Sequence, residues 1–525
     1  MGKIEVLDCT LRDGGYQNDC RFGFNNQKKI VNSLVEAGID IIECGFLMNT
    51  VTYEPDVTRI TSLDQIEKII PENRDGKTFV VLSDYGKYNL DALPDYNGKS
   101  VDGIRIAFHK KDRVKAVEEC RKVKEKGYRV FVQAMVSLSY SDEEFLDLIS
   151  RINELEPYAF YIVDSFGTMK KKDLTRLFYL IEHNLKENIK IGFHSHNNMQ
   201  LAYSNAQSLV DLHSERNLII DSSVYGMGRG AGNLNTELFV EYLNENSNGK
   251  YEIKPLLTII DEILNEFYQR NYWGYSLPNY LSASYNIHPN YAGYLDDKKT
   301  LTVQAMDEIF SLMDDDKRYS YDKDYIEELY LKYMATGEVQ EAHMADLKNK
   351  ITGKEVLIIA PGRSSLDEKQ KIISCATKSD ITTISINFDY TGLITDFIFI
   401  SNLRRFRELN DDKKSKCIVT SNIPAVGVYL QTKYRDLLNQ HETVKDNAGM
   451  MLIKYLIILG AKKIYVAGLD GYSNDPNQNF ANERMNFFTK KNVFEAMNAG
   501  MNDVIKEYSK EVEIEFVTTP KYVKL

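Results

Sequence analysis

Short apolar runs alternate with amphipathic stretches over the first half of the chain. Eight of these runs are rich in Ile, Val and Phe, a pattern that predicts buried β-strands. They span residues 4–8, 39–44, 78–83, 102–108, 129–136, 159–165, 189–195 and 218–224. Patterns with the period of an α-helix separate most of them, at residues 26–36, 111–126, 142–154, 171–187, 198–212 and 235–244. Strands that alternate with helices predict parallel β-α-β units.

Eight such units favour a (β/α)8 TIM barrel over residues 1–250. An open doubly wound sheet is the alternative, but eight units in about 250 residues match the usual size of the barrel. The pattern over 251–345 is helical and rich in Tyr. It predicts a helical extension that packs on the barrel and offers a surface for a homo-oligomer contact.

The α/β pattern resumes after a charged stretch at 344–355, which we interpret as a linker. Residues 354–525 contain a helix predicted over 447–459 and five further strand candidates, within 355–365, 382–388, 396–401, 416–421 and 462–470. They predict a C-terminal doubly wound, Rossmann-like α/β domain. The expected fold class is therefore α/β in both large domains.

Charge and cysteine content narrow the function classes. The formal net charge is −11 with both signs mixed along the chain, which argues against a nucleic-acid partner. The six cysteines form no C-x-x-C pair, as is usual for a reduced protein without disulfides or a zinc cluster. The start lacks the layout of a signal peptide, and no apolar run is long enough to cross a bilayer. We expect a cytoplasmic protein without a membrane span.

Polar residues collect at one end of the predicted barrel. The C-terminal ends of the strands form the active site in this fold. The polar residues at or near those ends are Arg12, Asp13, Glu43, Arg105, His109, Gln133, Asp164, Ser165, Thr168, His194, His196 and the glycine-rich loop 226–233. Such convergence from different strands is hard to explain by core packing.

The segment His194-Ser195-His196 predicts a metal site. Residues two apart on a strand point to the same face, so both imidazoles can reach one ion. The carboxylate of Asp13 can complete a facial set that leaves positions for substrate and water. The hard ions Mn2+, Mg2+ and Co2+ suit chelation by a 2-oxo acid, and Zn2+ stays open as an alternative.

Three segments together resemble a known family. DCTLRDGG (8–15), FHSHNN (193–198) and GMGRGAGN (226–233) resemble the DRE-TIM metallolyases, which include HMG-CoA lyase, isopropylmalate synthase and 4-hydroxy-2-oxovalerate aldolase. The resemblance covers about residues 1–250. It implies that Asp13, His194 and His196 are metal ligands and that Asn233 is a further residue of the metal shell. It also implies that Arg12 steadies an enolate oxygen and that Glu43 holds the network of the site.

The predicted reaction is cleavage or formation of a 4-hydroxy-2-oxo acid from a pyruvate-type enolate and an aldehyde. A divalent ion, Mn2+ or Mg2+ first, and an adjacent arginine stabilise the enolate charge. Four residues are the candidates for substrate binding, namely Arg105, Gln133, Thr168 and Arg229. Asp164, in a segment similar to the family's sixth strand, is interpreted either as a partner of a ligand histidine or as a helix cap.

The proton-transfer residue departs from the family pattern. Related aldolases have a histidine soon after LRDG, and this chain has Tyr16 there. The candidates are Tyr16, His109, Tyr285 and His288, each of which has an alternative structural interpretation. The glycine loop lacks the cysteine of HMG-CoA lyases and the G-E-x-x-G-N form of the synthases, which favours an aldolase. A Claisen-type acyltransferase that uses acetyl-CoA is the alternative enzyme, and a barrel retained as a scaffold is the non-enzymatic alternative.

The C-terminal domain begins with EVLIIAPGRSS (355–365), a strand, a glycine-containing turn and a helix. This arrangement suits a phosphate or a nucleotide. With the region 446–473 it loosely resembles bacterial sialyltransferase-like and motility-accessory glycan-transfer domains, which implies a nucleotide-sugar partner and a role in surface-glycan assembly. The residues that would line such a site are Gly362, Ser364, Asn387, Asn447 and Asp470. A degenerate scaffolding domain is the alternative.

Overall fold

The computed structural model describes residues 2–247, 249–298, 301–335, 343–378, 380–424, 426–475, 478–481, 485 and 493–522. The chain divides into two compact units. The first comprises residues 1–293 and 314–321, and the second comprises residues 294–313 and 322–525. The stretch predicted as a helical extension, 251–345, is therefore divided between the units. The three-domain division stays a prediction.

The first unit is built on a closed parallel barrel, as predicted. Eight strands follow one another around it, and pairing of the first two along the chain closes it. A ninth, two-residue strand is not part of the closed barrel and pairs with the end of β2. The strands are β1 (Ile4–Asp8), β2 (Ile41–Leu47), β3 (Arg59–Ile60, the additional strand), β4 (Thr78–Asp84), β5 (Gly103–Phe108), β6 (Arg129–Ala134), β7 (Ala159–Asp164), β8 (Lys190–Ser195) and β9 (Leu218–Ser222).

Amphipathic helices cover the outside of the barrel. Their buried faces join the outward side chains of the strands in one apolar cluster, while residues such as Val80, Phe131 and Ile219 fill the inside. Only short helical segments lie between β2 and β5, where no long helix was predicted. The helices of this unit are α1 (Phe24–Glu36), α2 (Asp64–Glu67), α3 (Arg113–Glu125), α4 (Asp142–Leu155), α5 (Lys171–Asn184), α6 (Ala202–Val210), α7 (Thr236–Asn246), α8 (Ile253–Ile259), α9 (Asn265–Arg270) and α10 (Leu277–Ser284).

The second unit contains a parallel sheet of seven strands in the order β14-β13-β12-β11-β10-β15-β16. The chain builds this sheet outward from β10 in one direction and then returns to add β15 on its other side, as in a doubly wound fold. Sequence patterns predicted five of the strands and missed the short β14 and the half-exposed β16. The strands are β10 (Glu355–Ile359), β11 (Ile381–Ile386), β12 (Phe397–Ile400), β13 (Cys417–Thr420), β14 (Leu430–Thr432), β15 (Lys463–Ala467) and β16 (Glu513–Phe516).

The chain from residue 289 onward also contains a series of helices. The prediction of a linker at 344–355 is wrong, because Met344–Ile351 form a helix whose Leu347 and Ile351 are buried. The helices are α11 (Pro289–Asp297, which runs across the division), α12 (Val303–Ser311), α13 (Lys323–Met334), α14 (Met344–Ile351), α15 (Ser364–Asp367), α16 (Lys369–Ala376), α17 (Leu403–Glu408), α18 (Asp411–Lys414), α19 (Ala448–Ile458) and α20 (Val493–Tyr508). Among the residues described, no helix has the length and apolar character needed to cross a bilayer.

Candidate metal centre and the cavity above it

Asp13, His194 and His196 converge at the C-terminal mouth of the barrel, as predicted. Asp13 lies in the turn after β1, His194 lies on β8, and His196 directly follows that strand. All three are at most 5% exposed, and one potential ligand atom from each lies within 4.8 Å of the others. The carboxylate Oδ2 of Asp13 is 3.5 Å from Nε2 of His194 and 3.8 Å from Nε2 of His196. Two ligands that bind one ion at right angles, each at about 2.1 Å, are about 3 Å apart, so this spacing suits a divalent ion.

One buried polar atom supports the fit of a cation here. Oδ1 of Asn233 is buried and has no hydrogen-bond partner among the described residues. The backbone of Asn233 pairs with that of His196. The Asn233 side chain also lies beside Asp13, because a Cβ on Gly228 would approach both the Asn233 amide nitrogen and the Asp13 carboxylate. An unpaired buried amide oxygen is costly unless something binds it, and a cation is a suitable partner.

A ring of buried charges surrounds these residues. Arg12 donates to Glu43 from Nε at 2.7 Å and pairs with Asp13 through Nη1. Arg105 lies 2.9 Å from Glu43 and also pairs with Asp221. When both histidines are neutral, as metal ligands must be, the three carboxylates of the ring outnumber its two guanidinium groups, and this excess negative charge favours binding of a cation.

Asp221 closes the ring and was missed by the sequence analysis. It lies inside the apolar strand β9, and its Oδ2 is 2.9 Å from Nδ1 of His194. A carboxylate at Nδ1 holds the proton there and leaves Nε2 free to bind a metal. Burial favours a raised pKa for Asp221, but Arg105 and His194 outweigh it and lower this pKa. A charged residue within an otherwise apolar strand was the signal in the sequence that could have identified Asp221 as a site residue.

The ligand carboxylate is also held in its charged form. Burial opposes ionisation of Asp13, but Arg12 and both histidines together hold its pKa well below the usual range. Burial lowers the pKa of His196 to about 3, with only partial opposition from Asp13. Both effects leave lone pairs available to an ion at neutral pH.

A cavity opens directly above the triad. Its lining contains the proposed ligands and three other residues singled out from sequence, Arg12, Tyr16 and Arg229. Gln133 lines it as well, and its amide oxygen faces the Arg105 guanidinium. The complete lining is Arg12, Asp13, Tyr16, Phe46, Leu82, Asp84, Ala107, Gln133, Met135, Val163, Ser165, His194, His196 and Arg229.

The glycine-rich loop after β9 brings Arg229 to this cavity. Its backbone N–H donates to Oδ1 of Asp13 at 3.0 Å, and its Nη2 donates to the carbonyl of Ser165 at 2.9 Å. The guanidinium lies 5.5 Å from the centre of the Tyr16 ring. This cation therefore faces the position that an anionic substrate would take.

Several predicted site residues do not reach the cavity. Arg105 was predicted to bind substrate, but it lies in the middle of β5 and is fully buried in the charge ring, where it supports Glu43 and Asp221. Glu43 is likewise buried beneath the cavity. Thr168 lies in the loop after β7, where its N–H donates to Asp164 at 2.9 Å and its hydroxyl faces Asn286.

Three candidates for proton transfer also lie outside the cavity lining. His109 follows β5 and begins a short helical turn. His288 contacts Phe166 at a ring distance of 5.7 Å, and burial lowers its pKa to about 2. The carbonyl of Tyr285 accepts from Arg318 at 3.4 Å. Asp164 accepts from the N–H groups of Thr168 and Met169, and no histidine in the described part of the chain bonds to its carboxylate, which fits the capping interpretation.

The second unit has a cavity of its own, about 210 Å³, at the C-terminal ends of its strands. Gly362, Asn387, Asn447 and Asp470 line it, as predicted, whereas Ser364 does not. The turn predicted to bind phosphate is already filled, because Asp470 accepts from both the N–H (2.7 Å) and the hydroxyl of Ser364. An internal carboxylate thus takes the place predicted for a phosphate.

Comparisons with known proteins agree with this geometry. Residues 103–261 match the family model described as HMGL-like. A 4-hydroxy-2-oxovalerate aldolase from Geobacillus genomosp. 3 is 28% identical over 243 residues, which cover 46% of this chain and 70% of the relative. One of the same name from Pelotomaculum thermopropionicum is 27% identical over 246 residues, with the same two coverages.

A solved structure matches the same part of the chain. The N-terminal domain of a candidate aldolase from Bacteroides vulgatus is 27% identical, with a TM-score of 0.50. The match covers 57% of this chain and 98% of that one. Residues 103–261 of the barrel therefore match an HMGL-like domain, and the resemblance to the DRE-TIM metallolyases is confirmed.

Proposed function

We propose that this HMGL-like barrel is a divalent-metal-dependent aldolase, a carbon–carbon lyase that cleaves or forms a 4-hydroxy-2-oxo acid. The observation that carries the proposal is the convergence of Asp13, His194 and His196 beside Arg12 on the floor of one cavity. The carboxylate and carbonyl oxygens of the 2-oxo acid would chelate a bound ion, which would draw electron density from the carbonyl. We propose Mn2+ or Mg2+ as the ion, with Co2+ and Zn2+ as alternatives to test.

The residues of the chain have distinct parts in this reaction. Arg12 uses Nε on Glu43 and Nη1 on Asp13, so its planar guanidinium is held in place. It faces the cavity as the cation that stabilises the charge of a pyruvate-type enolate. Arg229 and Gln133 bind the substrate carboxylate and carbonyl from the cavity wall, and the loop around Arg229 covers the ligand Asp13.

The relatives' names favour an aldol reaction over a Claisen condensation. Both curated relatives described above are named 4-hydroxy-2-oxovalerate aldolase. The loop from Gly226 to Asn233 has neither the cysteine nor the acidic residue expected of the other two reactions. We therefore propose pyruvate as one product and leave the aldehyde to experiment.

The test uses the full chain purified without metal. With Mn2+, release of pyruvate from a panel of 4-hydroxy-2-oxo acids is followed, and adducts of pyruvate with aldehydes and sugar aldehydes are sought by mass spectrometry. We expect turnover that EDTA abolishes and that His196→Ala lacks. His183→Ala, at an exposed position on α5, is the matched control and keeps full activity.

Other outcomes decide between the alternatives. Thiol release from acetyl-CoA with a 2-oxo acid, without aldol activity, supports the acyltransferase function and contradicts the aldolase function. Absence of both activities, with no binding of Mn2+ by calorimetry, supports a scaffold.

The cavity of the second unit favours a second candidate function for that unit. It lies where the chain changes direction between β10 and β15, the usual ligand position in a doubly wound sheet. We propose a nucleotide-sugar as its ligand, which would link the chain to surface-glycan biosynthesis in the cytoplasm. Saturation-transfer NMR of the full chain with UDP-, GDP- and CMP-sugars tests this, and no transfer to any of them contradicts it.

A further inference from the structure

The titratable groups that line the barrel cavity are few. Apart from the three proposed metal ligands and the two arginines, the described lining contains only Tyr16 and Asp84 as titratable side chains. The reaction needs a group that accepts the proton of the substrate 4-hydroxyl. The choice on geometry therefore lies between these two residues.

Tyr16 is poorly suited to accept that proton. Although 46% of its surface is exposed, the ring packs at an edge-on contact of 5.8 Å with Phe46 and lies under the Arg229 guanidinium. Burial of the hydroxyl raises the pKa of Tyr16, and Arg229 opposes this only in part. Tyr16 is therefore protonated at neutral pH and acts as a hydrogen-bond donor.

Asp84 has the opposite properties. It is the last residue of β4, at the mouth of the barrel, and it is half-buried. No described residue donates a hydrogen bond to its carboxylate, unlike Asp13, Asp164 and Asp221. Its lone pairs are thus available to a substrate in the cavity.

The surroundings of Asp84 suit a base. Burial raises the pKa of its carboxyl, while the nearby groups Arg12, His109, Arg229 and Lys87 act in the other direction. A carboxylate with a raised pKa is a stronger base than an exposed one. Ala107, its neighbour across the sheet, is followed two residues later by His109, so a histidine and a carboxylate share this part of the rim.

We propose that Asp84 is the catalytic base that takes the 4-hydroxyl proton of the substrate, in the role that related aldolases give to a histidine. This inference rests on the proposed aldolase function. Asp84 accepts the proton, the O–H electron pair forms the aldehyde C=O, and the C3–C4 bond breaks. The electron pair of the broken C3–C4 bond forms the enolate, whose oxygen faces Arg12. The proton removed balances the one that the enolate carbon takes up to give pyruvate.

Two reactions at this site distinguish removal of the hydroxyl proton from stabilisation of the enolate. Cleavage of a 4-hydroxy-2-oxo acid requires removal of a hydroxyl proton. Decarboxylation of oxaloacetate forms the same pyruvate enolate by loss of CO2, with no hydroxyl proton to remove. A base specific to the hydroxyl is needed only in the first reaction.

The experiment compares Asp84→Asn with wild type in both reactions, with Mn2+ present. We expect kcat for cleavage to fall by on the order of 100-fold or more, and decarboxylation to stay within about threefold. Asp91→Asn, at an exposed position beyond the same strand, is the matched control. Asp84→Ala with added formate is the second variant, and we expect formate to restore part of the cleavage activity.

Other results overturn the inference. Cleavage by Asp84→Asn at a third of the wild-type rate or more excludes Asp84 as the base. An equal loss of both reactions, with the Mn2+-induced rise in melting temperature intact, assigns Asp84 to enolate formation instead. Wild-type protein that binds Mn2+ but performs neither reaction overturns the proposed function itself, and this inference with it.

Discussion

Asp221 contacts the proposed ligand His194 from the neighbouring barrel strand, with its Oδ2 2.9 Å from Nδ1 of the imidazole. The same carboxylate oxygen pairs with Arg105, which in turn contacts Glu43. One oxygen therefore couples a ligand to the buried charge ring. The first prediction follows from this coupling.

Asp221→Asn should weaken metal binding by about 10- to 100-fold, because the amide neither orients His194 as firmly nor raises the basicity of its Nε2. Isothermal titration with Mn2+ measures the change. Asp211→Asn, which alters an exposed contact with Tyr242, is the control and should leave affinity unchanged. Equal affinities for Asp221→Asn and wild type would show that the contact has no effect on the metal.

Gly228→Ala should also weaken metal binding. A Cβ at this position would lie 2.3 Å from Nδ2 of Asn233 and 3.0 Å from Oδ1 of Asp13, so both side chains must move. We expect at least a tenfold loss of Mn2+ affinity, equivalent to about 1.4 kcal/mol. Gly293→Ala, where a Cβ meets nothing within 4 Å, is the matched control. Unchanged affinity would mean that the loop yields without moving the ligands.

Arg12→Lys tests the enolate cation. A single ammonium group cannot hold Glu43 and Asp13 at once and still face the cavity as a planar guanidinium does. We expect kcat to fall by about 10²- to 10³-fold with little change in KM, in both cleavage and oxaloacetate decarboxylation. Arg21→Lys, in an exposed pair with Glu54, is the control. A rise in KM alone would instead assign Arg12 to substrate binding.

The contribution of Asp8 to the free energy of unfolding should fall as the pH rises. It is fully buried, and burial raises its pKa to about 6, although Thr10 and Thr236 donate to it. The folded protein therefore keeps this proton while the unfolded chain loses it, so this group's contribution falls between about pH 4 and pH 6. The size is on the order of 3 kcal/mol, since one pKa unit corresponds to about 1.4 kcal/mol.

Urea unfolding of wild type and Asp8→Asn at pH 4.5 and pH 7 measures this contribution. The amide cannot ionise, so we expect the stability of the variant to decline less over this range than that of wild type. A parallel decline in both proteins would contradict the assignment to Asp8.

Much of the barrel and its metal centre could be predicted from the sequence. The strands are short, apolar and regularly spaced, and the H-x-H segment puts both imidazoles on one face of its strand. The barrel expected from this pattern brings the LRDG turn to the same end. Arg105, which was predicted at the mouth of the barrel, lies in its centre instead. Whether a side chain lies at the mouth of a barrel or in its centre depends on where the strand ends, and β5 continues three residues beyond Arg105.

The sequence patterns could not predict contacts between side chains that lie far apart along the chain. Asp221 reaches His194 only because β8 and β9 lie side by side in a particular register. Asp470 reaches the turn at Ser364 across 106 residues of chain and fills it. Asp84 follows a predicted strand by one residue, and its importance becomes visible only when the cavity lining is known.

The closure of the barrel by pairing of β1 with β2 and β9 has a consequence for how the site comes into existence. Asp13 follows the first strand, whereas His194 and His196 lie at the end of β8 and Asn233 follows the last strand. A chain that has not yet joined its two ends holds the two histidines near each other but brings neither Asp13 nor Asn233 to them. The ion is then a ligand of the completed barrel alone, and its binding energy adds to the stability of that state and of no earlier one. In this protein, capture of the metal would mark the end of folding of the N-terminal half.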